Sequence, residues 1–240
     1  TTASIGVALV QLNGGDPAAR SALFAARDAG LRLRLDELVT VPMSNLAHHD
    51  VEHGRFAEAD DILADAIRFS EERDIPICSM WQRGVQARLR LVQGRWREAE
   101  QDALAVLEAG DIPLGRVWSH LVLGLLAARR AAPAENPHLD ELWRLATRLE
   151  SPGVLASAAA ALAEQAWITR RPDPRLDDAA VPVDLPGPSG DQLRRWLRRL
   201  AEAGVQHVDA PAAAAAPTFE QPYERALALW DNGSVDDLQA

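Results

Sequence analysis

A chain of 240 residues with 48% hydrophobic content holds enough apolar material for one sizeable core or a short stack of repeated units. Acidic side chains number 35 against 25 basic ones, and the formal charge of −10 repels phosphate backbones, which argues against direct nucleic-acid contact. Every basic residue is arginine, so a P-loop lysine, a Schiff-base lysine and a lysine general base are excluded. The single cysteine, Cys78, can form neither an internal disulfide nor a thiolate metal cage, in keeping with a cytoplasmic setting. No 18-residue apolar run and no charged-then-apolar leader occurs, so neither a membrane span nor a signal peptide is expected. Thr1 at the start, and SVDDLQA at the end with its look of a helix just beginning, suggest a segment of a longer protein.

Taken in chain order, the apolar spacing predicts helices near 1–13, 17–29, 35–53, 56–73, 77–93, 96–109, 113–131, 137–149 and 153–170. They fall into frames. HGRFAEADDILADAI (53–67) is matched 40 residues later by QGRWREAEQDALAVL (93–107), and the same step links Gly14, Gly54, Gly94 and Ala134. Five residues after each anchor stand Ala19, Ala59, Ala99 and Leu139; seven before it stand Val7, Ala47, Ala87 and Ala127, small residues suited to close helix approach. Within one frame Phe56, Ala59, Ile62, Leu63, Ala66 and Ile67 form a single helical stripe. The anchor glycine is expected to take the left-handed conformation that ends the first helix of each pair, and Asp16-Pro17, Ile75-Pro76 and Ile112-Pro113 punctuate the array. No period-2 strand signal stands out. The expected fold class is all-α, a right-handed α-solenoid of antiparallel helix pairs with a TPR-like period near 40 residues.

The repeat fails after residue 170. Pro172, Pro174, Pro182, Pro186 and Pro188 mark 171–190 as a proline-rich linker or loop. A helix returns in DQLRRWLRRLAEAG, followed by a second linker-like stretch, DAPAAAAAPTFEQP, and by a helix through PYERALALWDNGS that stops at Asn232-Gly233. The domain reading is thus 1–170 as the repeat array, 171–190 as the linker, and 191–240 as C-terminal helices that continue or cap it.

The pattern Leu46-Ala47, Gly54, Phe56, Ala59 and Ala66 resembles the tetratricopeptide repeat, with its usual 34-residue period stretched to about 40. NLAHHDVEHGRFAEADDILADAIRFSEERD, RLRLVQGRWREAEQDALAVLE, SHLVLGLLAARR and QPYERALALWDNG are together similar to the helical-repeat region of large bacterial LuxR-type regulators. That resemblance implies a transcription regulator with an ATP-binding module before this region and a helix-turn-helix DNA-binding domain after it. Neither G-x-x-x-x-G-K-[ST] nor a basic recognition helix occurs here.

The tetratricopeptide geometry implies a groove lined by the first helix of each pair, at positions 13, 10, 6, 3 and 2 before the turn glycine. Those positions give Val41, Ser44, His48, Val51 and Glu52, then Trp81, Gly84, Arg88, Leu91 and Val92, then Leu121, Gly124, Ala128, Ala131 and Ala132. Ser44, His48, Glu52, Trp81 and Arg88 form the candidate site for a peptide, protein or small effector, with no cofactor and no catalysis. Two alternatives stay open. One is a general interaction scaffold without a DNA-binding domain. The other is a metal-dependent enzyme using His49 and His53, which share a helix face at i and i+4 but lack a second cluster to complete a coordination shell. Asp60-Asp61 and Glu71-Glu72 lie beside arginines and read as solvated helix faces, and Trp96 and Trp143 read as packing residues.

Overall fold

The computed structural model describes residues 2–131, 135–206 and 222–231. Among the described residues eleven α-helices account for the regular structure and no strand forms. In order they are α1 (Thr2–Asn13), α2 (Pro17–Leu33), α3 (Asp36–Glu52), α4 (Phe56–Glu72), α5 (Pro76–Val92), α6 (Trp96–Ala109), α7 (Pro113–Ala131), α8 (Pro137–Leu149), α9 (Pro152–Thr169), α10 (Pro188–Glu202) and α11 (Pro222–Asp231). A 3-10 turn, Pro174–Asp177, interrupts the stretch between α9 and α10. Among these residues no helix is long and apolar enough to cross a membrane.

Local chemistry sets the helix ends. Proline, whose fixed φ and missing N–H suit a first helical position, opens α2, α5, α7, α8, α9, α10 and α11. Before α2, the Asp16 carboxylate accepts from the Ala18 N–H at 2.8 Å. Gly54 and Gly94 end α3 and α5 with φ of +72° and +80°. At each the next residue reaches back over the turn: Arg55 N–H donates to Asp50 O at 2.8 Å and Arg95 N–H to Arg90 O at 2.9 Å, which closes a Schellman motif. In the first unit the left-handed residue is Gly15, at +80°, one position beyond the expected Gly14. Ala134 and Ala132, the segment 207–221, the Asn232-Gly233 stop and 234–240 lie outside the described residues.

Odd-numbered helices form one row, with α1 against α3, α3 against α5, α5 against α7 and α7 against α9. Each of α2, α4, α6 and α8 packs between its neighbours in sequence, and α10 lies on α9. Apolar stripes from both sets meet in a core containing Leu23, Leu46, Leu63, Leu89, Leu126, Leu142 and Leu162, all with less than 2% exposure. Small residues mark the closest approaches: Ala47, Ala59, Ala87 and Ala99 are fully buried. A Cβ on Gly84 would sit 3.2 Å from Gly115 O, and one on Gly115 would sit 2.6 Å from Met80 Cβ, so α5 and α7 touch nearly backbone to backbone. Val7, in the same register as Ala47 and Ala87, is 59% exposed on α1, the first described helix of the row.

The proline-rich stretch folds back onto the array. Arg194 of α10 donates Nη1 to Val183 O at 2.7 Å and to Leu185 O at 3.0 Å, and the helix itself begins at Pro188, inside the expected linker. Gly190 permits the turn, since a Cβ there would lie 1.8 Å from Leu185 O.

Candidate functional site

Residues of α1, α3, α5, α7, the start of α9 and the segment 185–189 enclose a cleft of about 520 Å³. Its walls include Leu9, Leu12, Asn13, Asn45, Trp81 and Trp118, with Pro152–Val154 at one side and Leu185–Ser189 closing another. Three of the five expected site residues, His48, Glu52 and Trp81, face this space. Ser44 lies in the α3–α5 seam instead, where its Oγ accepts from Gln82 Nε2 at 2.9 Å. Arg88 is 7% exposed and does not reach the wall; it sits beneath, holding the wall residues in place.

The polar centre is a connected set. Glu52 Oε1 accepts from Ser189 Oγ at 2.5 Å, from Arg88 Nη1 and Nη2 at 3.5 Å, and lies 3.6 Å from His48 Nε2. Arg88 Nη1 also donates to His48 Nδ1 at 3.5 Å, and since a guanidinium only donates, the His48 proton stands on Nε2. Burial pushes His48 down to about 4, with Arg88 adding to that shift against the opposing pull of Glu52, so the imidazole is neutral near pH 7. Burial alone would raise the Glu52 carboxyl, but His48, Arg88 and the Ser189 hydroxyl outweigh it and bring it to about 2. The result is one carboxylate, matched by one guanidinium behind the wall, in an otherwise uncharged polar patch.

Aromatic rings make the floor. His48 stacks on Trp118 with centroids 5.0 Å apart and an interplanar angle of 28°; Trp81 meets the Trp118 edge at 5.6 Å and 62°. The Arg88 guanidinium lies 4.5 Å from the centre of the same Trp118 ring. Trp118 is 1% exposed, and its Nε1 has no partner among the described residues. It escaped the sequence reading because α7 starts at Pro113, earlier than a strict 40-residue step from Pro76 of α5 would place it. Counted from the helix starts, Trp118 occupies in α7 the position that Trp81 occupies in α5. Alignment by prolines rather than by glycines therefore finds it.

His49 and His53 also line the cleft, with stacked rings 3.9 Å apart. Arg55 Nη2 donates to His49 Nδ1 at 2.6 Å, which fixes the His49 proton on Nε2. With that contact in place His49 Nε2 offers an N–H rather than a lone pair. Among the described residues no group of three or more His, Cys, Asp or Glu side chains is disposed to hold a metal. Behind them Asp50, fully buried, accepts from Arg20 Nη1 and Arg55 Nε through Oδ1, both at 2.6 Å, and ties α2, α3 and the α3–α4 turn together. Trp96 and Trp143 pack against the core as expected, and Glu71 pairs with Arg83 on an exposed face.

The fold and site define an all-helical chain with a neutral, aromatic-floored cleft in its row of odd-numbered helices. Searches against protein-family models, curated proteins and solved structures returned no match.

Proposed function

We propose that this chain is a non-catalytic, effector-binding α-solenoid: a right-handed array of helix pairs with a TPR-like period near 40 residues, serving as the sensor region of a cytoplasmic LuxR-type transcriptional regulator. The observation that supports a binding role is the convergence of His48, Glu52, Trp81 and Trp118 with residues 185–189 on one cleft of about 520 Å³. That volume suits a small molecule, which favours a small effector over a protein. Apolar walls with a few convergent polar groups are the usual make-up of such sites.

The regulator assignment rests on the resemblance of the quoted segments, which implies ATP-binding and DNA-binding modules flanking this region in the full-length protein. In that setting an effector touching α1, α3, α5, α7, α9 and the start of α10 together favours one mutual arrangement of these helices, and differential contact of that kind is what coupling requires. The test is equilibrium dialysis of the protein against a small-metabolite extract, with retained compounds identified by mass spectrometry. A compound held by the wild type and lost from Trp81→Ala supports the reading; identical retention by both proteins refutes it.

A further inference from the structure

The Nδ1 partners of the two stacked histidines call for opposite tautomers. His49 Nδ1 accepts from Arg55 at 2.6 Å, so its proton is on Nε2. His53 Nδ1 lies 2.8 Å from the His49 carbonyl, which can only accept, so the His53 proton is on Nδ1 and its Nε2 bears the lone pair. Partial burial lowers the His53 pKa from its ordinary value, which favours the neutral ring. The hydrogen bonds that hold both rings are made at Nδ1. Both side chains line the cleft and their rings stack with centroids 3.9 Å apart at 24°, which brings an N–H-bearing ring and a ring with a free nitrogen lone pair together at its wall.

We propose that this pair reads the edge of an uncharged cyclic amide, its carbonyl accepting from His49 Nε2–H and its ring N–H donating to His53 Nε2. The inference rests on the cleft being the effector site and adds the chemical class of the effector. Charge supports it. The one carboxylate of the wall, Glu52, is already matched by Arg88, so a ligand with net charge finds no unpaired counter-charge. The lining supports it as well, because Trp81 and Trp118 of the same cleft offer aromatic surface suited to a flat ring.

The tautomers are read directly from long-range proton–nitrogen spectra of the histidine-labelled protein at pH 7. The expected result is a protonated Nε2 on His49 and a protonated Nδ1 on His53; the opposite form at either ring overturns the proposal. The ligand class is tested on the same sample with quinolin-2(1H)-one, its N-methyl derivative and quinoline-2-carboxylate. The lactam is expected to bind and to move both Nε2 resonances, while the N-methyl compound binds about tenfold more weakly, the loss of one neutral hydrogen bond. Equal binding of lactam and N-methyl lactam, tighter binding of the carboxylate, or no binding of the lactam each overturns the proposal. A metabolite retained through Trp81 in dialysis that lacks an N–H/C=O edge sinks the ligand class and leaves the binding role of the cleft standing.

Discussion

Ser189, in the first turn of α10, donates its hydroxyl to Glu52, in the last turn of α3, at 2.5 Å across 137 residues of sequence. That bond joins the row of odd helices to the folded-back segment and caps a carboxylate whose other partners are Arg88 and His48. Ser189→Ala removes a hydrogen bond to a charged group, with an expected loss of about 1–3 kcal/mol in unfolding free energy. The folded-state Glu52 pKa rises in the same variant because one of the groups lowering it is gone. Urea unfolding gives the first quantity, and hydrogen exchange of residues 181–190 shows whether the segment loosens. Unchanged exchange there, with unchanged stability, removes Ser189 from any role as a latch.

Acid destabilises this site through two groups of the same sign. An unfolded Glu52 titrates near 4.5 and the folded one at about 2, so its contribution is full above 4.5 and lost as pH falls through 2. An unfolded His48 titrates near 6.5 and the folded one at about 4, so the unfolded chain takes up the proton first and stability erodes as pH falls from 6.5 towards 4. His120, lowered to about 4 by burial and by His138, behaves as His48 does. His48→Gln should therefore flatten the stability–pH curve between those limits by on the order of 3 kcal/mol relative to wild type. Urea midpoints of both proteins from pH 7.5 to 4 supply the comparison, and parallel curves mean that His48 is not held neutral by the fold.

Much of the helix pattern is legible in the sequence because its punctuation is chemical. Prolines at 17, 76, 113, 137 and 152 each open a helix, although Pro42 sits inside α3, and Gly54 and Gly94 take the left-handed conformation that glycine adopts most readily. The polar centre was within reach too, since His48, Glu52, Trp81 and Arg88 recur at fixed distances before the turn. Three things were not. The register slip between α5 and α7 hid Trp118, because counting back from residue 134 assumes equal repeats. The segment 171–190 reads as a linker since its prolines donate nothing to a ladder, and its folding depends on Arg194 gripping the Val183 and Leu185 carbonyls. Ser44 counts as a groove residue by spacing, yet Gln82 from the next odd helix draws its hydroxyl into the seam.

Two glycines beside the cleft have opposite requirements. A Cβ on Gly190 meets the Leu185 carbonyl oxygen at 1.8 Å, so Gly190→Ala must push the closing segment away from α10 and break the Arg194 contacts. A Cβ on Gly153, in the first turn of α9, meets nothing within 4 Å. The first substitution should cost about 1–3 kcal/mol, and the second should be neutral or stabilise by up to about 1 kcal/mol through lower unfolded-chain entropy. Thermal unfolding of the two variants side by side checks the contrast, and an equally mild effect at both positions argues that residues 185–190 do not pack as described.

The far ends of α7 and α9 carry a second polar centre, remote from the cleft. Arg129 donates Nε and Nη2 to the Glu164 carboxylate at 2.6 and 3.0 Å, and the two side chains are only 7% and 1% exposed. Tyr223 of α11, the chain's one tyrosine, places its ring 3.8 Å from the Arg129 guanidinium and meets Trp96 edge-on at 6.3 Å. Burial pushes the Tyr223 phenol well above its ordinary range. Arg129→Ala leaves Glu164 as an unpaired buried charge, an expected loss of about 3–5 kcal/mol, whereas Arg129→Met with Glu164→Met removes both charges and recovers most of it. A single tyrosine makes the docking of α11 directly visible. In fluorotyrosine-labelled protein one resonance reports position 223, and it should move to the solvent-exposed shift in Arg129→Ala while the alkaline phenol titration returns towards 10. Loss of stability with an unmoved Tyr223 signal would show that the Arg129–Glu164 pair supports the helical row alone and does not hold α11.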